Sequence, residues 1–371
     1  MGLIRLLLAL SVVISHSHAI FGIQLVGGSI AVQSFFIISG FYMALVLNEK
    51  YFDKNLSNKK SFFLFITNRL LKLFPSYWVV LLLTAIVSFA FMVSSDGKEM
   101  GRLDHLITYK DQLSIGTWIF LIFANIFMFF QDMILFLGID LNSGNLYFIK
   151  NFENSKPIVH GFLLVPQAWS IGIELLFYLM APFILRKGLK LMIPLLLLSF
   201  VARIILYSNG FDFDPWLSRF FPLELGFFLM GGVAYHVYKN LKLGRYSFPL
   251  KRVSFFLMVA SIVVYPFIHF EYKIVIYYIL FFLFLPFVFE LSKKSKIDRF
   301  LGDLSYPVYI SHLFVLMLLI HLKYLLIIIW EFIWRFFLLD FRYCCIFWYL
   351  ILLKSIGRGG CSKYNRATTE Y

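Results

Sequence analysis

Runs of about 20 apolar residues recur along this chain, separated by short polar segments. A helix needs about 20 such residues to cross the hydrocarbon core of a bilayer. With 61% hydrophobic and only 15% charged residues, the chain lacks the polar surface of a soluble globule. The runs are continuous rather than alternating over about ten residues, which disfavours a β-barrel. We therefore predict an all-α integral membrane protein folded as a single polytopic bundle.

Ten runs are predicted to cross the membrane, at about 3–22, 30–48, 73–93, 169–185, 191–207, 220–238, 253–270, 273–291, 304–322 and 325–340. Basic residues concentrate in four segments between them, at 50–72, 186–190, 239–252 and 293–299. Because basic loops accumulate on the cytoplasmic side, these segments and both termini are predicted to be cytoplasmic. The loop with Asp212 and Asp214 is predicted to lie outside. The net charge of +14 thus reflects topology, and no nucleic-acid partner is predicted.

A further apolar stretch, 115–138, does not fit this topology as a full crossing. The helix at 73–93 ends outside, and the helix at 169–185 must start outside because it ends at the basic Arg186. We therefore predict that 115–138 is re-entrant or packed on the outer face. The alternative, a second crossing at 148–165, is disfavoured by the charged residues Lys150, Glu153 and Lys156.

The two ends of the chain need separate interpretation. The first run lacks a small-residue cleavage site, so we interpret it as a retained helix rather than a signal peptide. Residues 1–340 are predicted to form the transmembrane domain. Residues 341–371 are predicted to form a helix end and a disordered, basic cytoplasmic tail, or alternatively a frameshifted terminus. All three cysteines, Cys344, Cys345 and Cys361, fall in this tail without metal-binding spacing, and no metal is predicted.

The first run carries two ionisable residues, Arg5 and His16, with ten residues between them. On one helix they lie about 16 Å apart along the axis. An ionisable residue within a membrane helix is costly and is a candidate for function. His16 can relay a proton near neutral pH, whereas Arg5 would lie near one membrane face. The alternatives are a packing hydrogen bond for His16 and a topological anchor for Arg5.

Two further groups are candidates for chemistry. Arg69 and Lys72 are one helical turn apart and share a face that could clamp a phosphate, although topology alone would also explain them. Glu174 lies about 7 Å below the start of its helix, a depth similar to that predicted for His16. A carboxylate–histidine pair is therefore allowed. The alternative is that Glu174 satisfies a packing hydrogen bond.

The remaining candidates line the predicted cavity between the helices. Tyr309 and His312 are three residues apart and share a helix face, with aromatic packing as the alternative. The other cavity candidates are Ser39, Trp169 and Ser170. Further intramembrane residues, for which packing or snorkelling is the alternative, are Arg203, Glu224 and His236.

Taken together, these motifs resemble the acyltransferase 3 family, integral-membrane enzymes that O-acylate bacterial surface polysaccharides, peptidoglycan and related glycans. Five features match in order across about 310 residues. They are the pair Arg5 and His16, AVQSFFIISGF at 31–41, NRLLKLFPSYW at 68–78, WSIGIE at 169–174 and LSYPVYISH at 304–312.

The resemblance implies that Arg5 and His16 are essential, that the Arg69 region binds acyl-CoA on the cytoplasmic side, and that Glu174 acts in the active cavity. The sequence departs from the family pattern at two positions. Lys72 stands where the family has a second arginine, which keeps the charge but loses bidentate contact with phosphate. Gln33 stands where an acidic residue is common, so we assign it no catalytic role.

The resemblance thus implies an O-acyltransferase of the bacterial cytoplasmic (inner) membrane. The expected donor is acetyl-CoA. The expected acceptor is a hydroxyl of an extracytoplasmic or lipid-linked glycan, such as O-antigen, capsule or exopolysaccharide. A transporter or flippase is an alternative, because intramembrane charges suit it too. We find no internal symmetry of the kind such transporters show. A glycan polymerase is a second alternative, for which the candidate outer loop 139–168 carries few basic residues.

Overall fold

The computed structural model describes residues 1–17, 22–51, 58–241 and 248–336. The chain divides into two compact units, Met1–Phe314 and Val315–Tyr371. The second unit is described only over 315–336, where the backbone is helical. The predicted domain boundary at residue 340 and the three cysteines lie outside the described residues.

Helices account for nearly all of the regular structure in the described part of the chain. They are α1 (Gly2–Ser17), α2 (Gly28–Glu49), α3 (Asn58–Ser94), α4 (Asp104–Thr108), α5 (Ile115–Phe127), α6 (Trp169–Ile184), α7 (Leu189–Ser208), α8 (Trp216–Arg219), α9 (Phe221–Leu241), α10 (Phe248–Val264), α11 (Lys273–Ser292) and α12 (Lys296–Phe336). Seven helical segments of the described chain are long and apolar enough to cross a membrane, and α1 and α5 are shorter apolar helices. The prediction of an all-α polytopic membrane protein with about ten crossings is confirmed.

Several helix bounds differ from the prediction. The described part of α1 ends at Ser17, and the chain is already in a turn at Gly22, so His16 lies in the last helical turn. α3 begins at Asn58 rather than near 73, because the polar and basic segment that precedes the predicted crossing is also helical. α12 is continuous through residues 323–324, where the sequence predicted a break between two crossings.

The sequence predicted that the stretch 115–138 does not cross the membrane as a single helix, and the structure agrees. α5 has 13 residues, about 20 Å of helix, whereas the hydrocarbon core is about 30 Å thick. Met128 ends α5 in the left-handed conformation. A short hairpin follows, with β1 (Leu137–Asp140) paired antiparallel to β2 (Asn145–Phe148), an element that the sequence analysis missed. This segment has a small apolar core of its own around Leu121 and Phe162.

The main core lies where α2 packs along α9 with the two backbones in contact. A Cβ at Gly40 would lie 1.8 Å from the carbonyl oxygen of Phe228, and one at Gly231 would lie 1.8 Å from the carbonyl oxygen of Ile37. Only glycine fits at either position. This contact fixes α2, which carries Ser39 into the candidate site.

We predict that Gly231→Ala destabilises the bundle by about 1–3 kcal/mol, because an added methyl group must push α2 and α9 apart. The thermal unfolding midpoint of the purified protein in detergent measures this effect. Gly116→Ala is the matched control, because a Cβ there would meet only the Ser114 hydroxyl, at 3.9 Å. Equal midpoints for the two variants would contradict the prediction.

Candidate active site

A cavity of about 420 Å³ opens among α1, α2, α3, α6, α11 and α12 in the first unit. Seven of the predicted site residues line it: Arg5, Ser39, Arg69, Lys72, Ser170, Glu174 and Tyr309. The wall also contains two basic and two acidic residues from the start of α12 and the end of α11, which are Lys293, Arg299, Asp298 and Asp303. Basic side chains therefore outnumber acidic ones, and the cavity suits an anion.

Contacts between the start of α1 and the start of α12 place Arg5. The Asp298 carboxylate accepts hydrogen bonds from the backbone N–H groups of Gly2, at 2.7 Å, and Leu3, at 3.0 Å. A carboxylate satisfies the unpaired N–H groups at a helix N-terminus and interacts favourably with the helix dipole. A Cβ at Gly2 would lie 1.5 Å from the carbonyl oxygen of Asp298, so the helices touch there. We call the end of the bundle where α1 and α12 begin, which carries Arg5, Lys293 and Arg299, the basic end.

Arg69 and Lys72 face the cavity from α3, one turn apart as predicted. The Arg69 guanidinium lies over the ring of Phe65, with Cζ 5.7 Å from the ring centroid. Its Nε is buried and has no hydrogen-bond partner among the described residues. A buried donor of this kind calls for an explanation, and an anionic ligand in the cavity would supply the missing acceptor.

Glu174 lies on the cavity wall rather than against His16. Its Oε1 accepts hydrogen bonds from Ser39 Oγ, at 2.5 Å, and from the Tyr178 hydroxyl. Tyr178 follows Glu174 by one turn of α6, an arrangement the sequence analysis did not single out. The carboxylate is thus positioned by α2 and by its own helix.

Hydrogen bonds to α12 from Ser170 in α6 and from Gln167, just before α6, close the deep end of the cavity. The Tyr309 hydroxyl donates to the carbonyl oxygen of Gln167, at 3.0 Å, and lies 2.6 Å from Ser170 Oγ. A hydroxyl has one proton, so Ser170 must donate to Tyr309. The Gln167 amide in turn donates to the carbonyl oxygen of Ile310, at 2.6 Å. Tyr309 is eleven residues beyond Asp298, or about 16 Å along α12.

The other three predicted residues, His16, His312 and Trp169, are not part of the cavity lining. The rings of His16 and His312 lie against each other, with centroids 5.0 Å apart. His312 also contacts the ring of Tyr309, with centroids 5.9 Å apart. Trp169 instead lies under Arg219, whose Cζ is 4.3 Å from its ring centroid. The sequence motifs named His16 and His312 but gave no signal that they meet.

A buried polar network explains the departure at Gln33. The Gln33 amide donates to Glu224 Oε1, at 3.1 Å, and its oxygen accepts from the Tyr278 hydroxyl. The same Glu224 oxygen accepts from Arg203 Nη2, at 2.8 Å. An acidic residue at position 33 would face the fully buried Glu224 carboxylate, whereas glutamine can donate to it.

The description of the family model that matches residues 1–351 reads "acyltransferase domain", and the family is acyltransferase 3. A search of curated proteins gave no match, and neither did a search of solved structures. The family match covers nearly the whole chain and confirms the resemblance drawn from the motifs. No group of three or more His, Cys, Asp or Glu residues in the described chain could hold a metal ion.

Because the family model matches nearly the whole chain, the chain belongs to the acyltransferase 3 family and is a multi-pass membrane acyltransferase.

Proposed function

We propose that this protein transfers an acetyl group from acetyl-CoA to a hydroxyl of a surface glycan. One arrangement carries the proposal: the basic cavity ends at Tyr309, and the ring of Tyr309 leads through His312 to His16. In this proposal the anionic donor fills the cavity up to Tyr309, and His16, which accepts the proton, lies beyond Tyr309 and His312. The acceptor we propose is O-antigen, capsule or exopolysaccharide, taken as the polymer or as a lipid-linked precursor.

We propose that the basic end faces the cytoplasm of a bacterium, in whose inner membrane the protein lies. The concentration of Lys and Arg in the four basic segments supports this orientation. Both termini are then cytoplasmic. Acetyl-CoA enters from the compartment where it is made, and the glycan reaches His16 from the other side.

In this proposal the phosphates of coenzyme A bind Arg5, Arg69 and Lys72. The unpaired buried Nε of Arg69 supports this assignment, because a phosphate oxygen would satisfy it. The extended pantetheine arm then follows the cavity toward Ser170 and Tyr309, which places the thioester at the deep end.

His16, whose ring lies against His312 beyond the deep end of the cavity, removes the proton from the acceptor hydroxyl as the hydroxyl oxygen attacks the thioester carbonyl. Glu174 acts from the donor cavity, where its carboxylate holds Ser39 and balances part of the positive charge of the wall. The outer segment 94–168 is the proposed source of acceptor choice.

We predict that His16→Ala abolishes glycan O-acetylation while the protein still inserts in the membrane, because no base remains at the hydroxyl. The measurement is the O-acetyl content of purified surface polysaccharide, by proton NMR before and after mild base. A strain that lacks the gene is compared with strains that carry wild-type or variant protein. His269→Ala, in an exposed loop, is the matched control and should restore acetylation.

Full acetylation with His16→Ala would overturn the assignment of His16. Acetylation unchanged by loss of the gene, together with altered glycan length or amount at the surface, would instead favour polymerisation or transport.

We predict that Arg69→Ala and Lys72→Ala each weaken binding of coenzyme A by about tenfold or more, since each removes a charge-assisted hydrogen bond worth about 1.5–3 kcal/mol. Calorimetry on the protein in detergent measures the dissociation constant. Lys190→Ala removes the same charge from an exposed position outside the cavity and should bind as wild type does. Lys72→Arg should bind at least as tightly, because arginine adds bidentate contact.

Equal weakening in the Lys190 variant would attribute the effect to overall charge and contradict a specific phosphate site. The same conclusion would follow if Arg69→Ala bound coenzyme A with the affinity of the wild type.

A further inference from the structure

His312 occupies a position between the donor cavity and His16 that packing does not explain. Its ring contacts the ring of Tyr309, which lines the cavity, and the ring of His16, which does not. His312 is 3% exposed, whereas His16 is exposed near the end of α1. The two histidines therefore differ in access although their rings are adjacent.

Hydrogen bonds fix the protonation pattern of both rings. His16 Nδ1 lies 2.9 Å from the carbonyl oxygen of Val12, and His312 Nδ1 lies 2.5 Å from that of Tyr309. A carbonyl oxygen only accepts, so each Nδ1 must carry a hydrogen. In the neutral rings, each Nε2 then holds the lone pair that can take a proton.

The Nε2 of His312 is buried and has no hydrogen-bond partner among the described residues. Buried polar atoms are nearly always paired, so an unpaired one in a functional region calls for a ligand or a chemical role. A histidine that served only packing would gain by pairing this atom. Its neighbours at the cavity end have protons committed elsewhere, since Tyr309 donates to Gln167 and Ser170 donates to Tyr309.

We propose that His312 is a second catalytic residue, which delivers the proton to the sulfur of the departing coenzyme A. This inference rests on the proposed function. His16 and His312 then divide the work of general base and general acid between two rings in contact, one facing the acceptor and the other facing the donor.

The step balances without any co-reactant. The acceptor O–H proton moves to His16 Nε2 while the oxygen forms a bond to the thioester carbonyl carbon. The proton passes from His16 Nε2 to His312 Nε2, directly or through one water molecule. The carbon–sulfur bond breaks, its electron pair goes to sulfur, and sulfur takes the proton from His312. Both rings end neutral, and the products are the ester and the free thiol.

The test measures release of free thiol from limiting acetyl-CoA in membrane vesicles of cells that make the endogenous glycan. General acid–base groups contribute about 100-fold or more, so His312→Gln should slow the reaction by about that factor. Binding of coenzyme A should stay unchanged, because its phosphates bind Arg5, Arg69 and Lys72 at the opposite end of the cavity in the proposed function. His269→Gln is the matched control and should react as wild type does. A rate within about threefold of wild type in His312→Gln would overturn the proposal.

A second measurement compares wild type with His312→Gln, and its wild-type result tests the proposal even if His312→Gln folds poorly. When two protons move in the rate-limiting step, the reaction rate plotted against the fraction of heavy water in the solvent follows a curve. When one proton moves, the plot is a straight line. We expect a curve for the wild type and a line for His312→Gln. A straight line for the wild type, or a curve for the variant, would overturn the proposal.

The controls separate this inference from the function on which it rests. A wild-type protein that releases no thiol from acetyl-CoA would contradict the proposed function itself. A wild type that is active, with His16→Ala inactive and His312→Gln active, would leave the function in place and remove only the role of His312.

Discussion

The candidate site depends on one contact, the capping of α1 by the Asp298 carboxylate at the start of α12. From Gly2 to His16 is fourteen residues, and from Asp298 to His312 is also fourteen. Two parallel helices that begin at one level rise equally, by about 21 Å over this length. The two histidines therefore meet at one level because the two helices start together.

The same contact explains why distant motifs line one cavity. It brings Arg5 to the mouth of the cavity beside residues of α12, while α3 and α6 supply Arg69 and Glu174 from the other side. The glycine contact between α2 and α9 then holds Ser39 against Glu174. Each motif is short and separately weak, but the packing of helix ends and glycines leaves them a single place to converge.

The membrane class, most helices and seven cavity residues followed from the sequence, because apolar runs, rare intramembrane charges and the short motifs that carry the family resemblance are local signals. The pairing of His16 did not follow. The predicted end of its helix was 22, whereas the chain is in a turn there and the described helix ends at Ser17. His16 therefore lies in the last described turn of α1, whereas Glu174 lies more than one turn beyond the start of α6. The hairpin was missed because four-residue strands leave almost no periodic pattern.

The network around Gln33 bears on how such sequences are compared. Gln33 and Arg203 both donate a hydrogen bond to one oxygen of Glu224. A carboxylate at position 33 could not donate such a bond and would face the Glu224 carboxylate directly. From the motif alone, Gln33 looks like the loss of an acidic residue. In three dimensions a carboxyl group is present at the same place, supplied by Glu224 on a different helix, α9. A change at position 33 therefore alters what Glu224 must be paired with, and a carboxylate at 33 would call for a neutral side chain at 224.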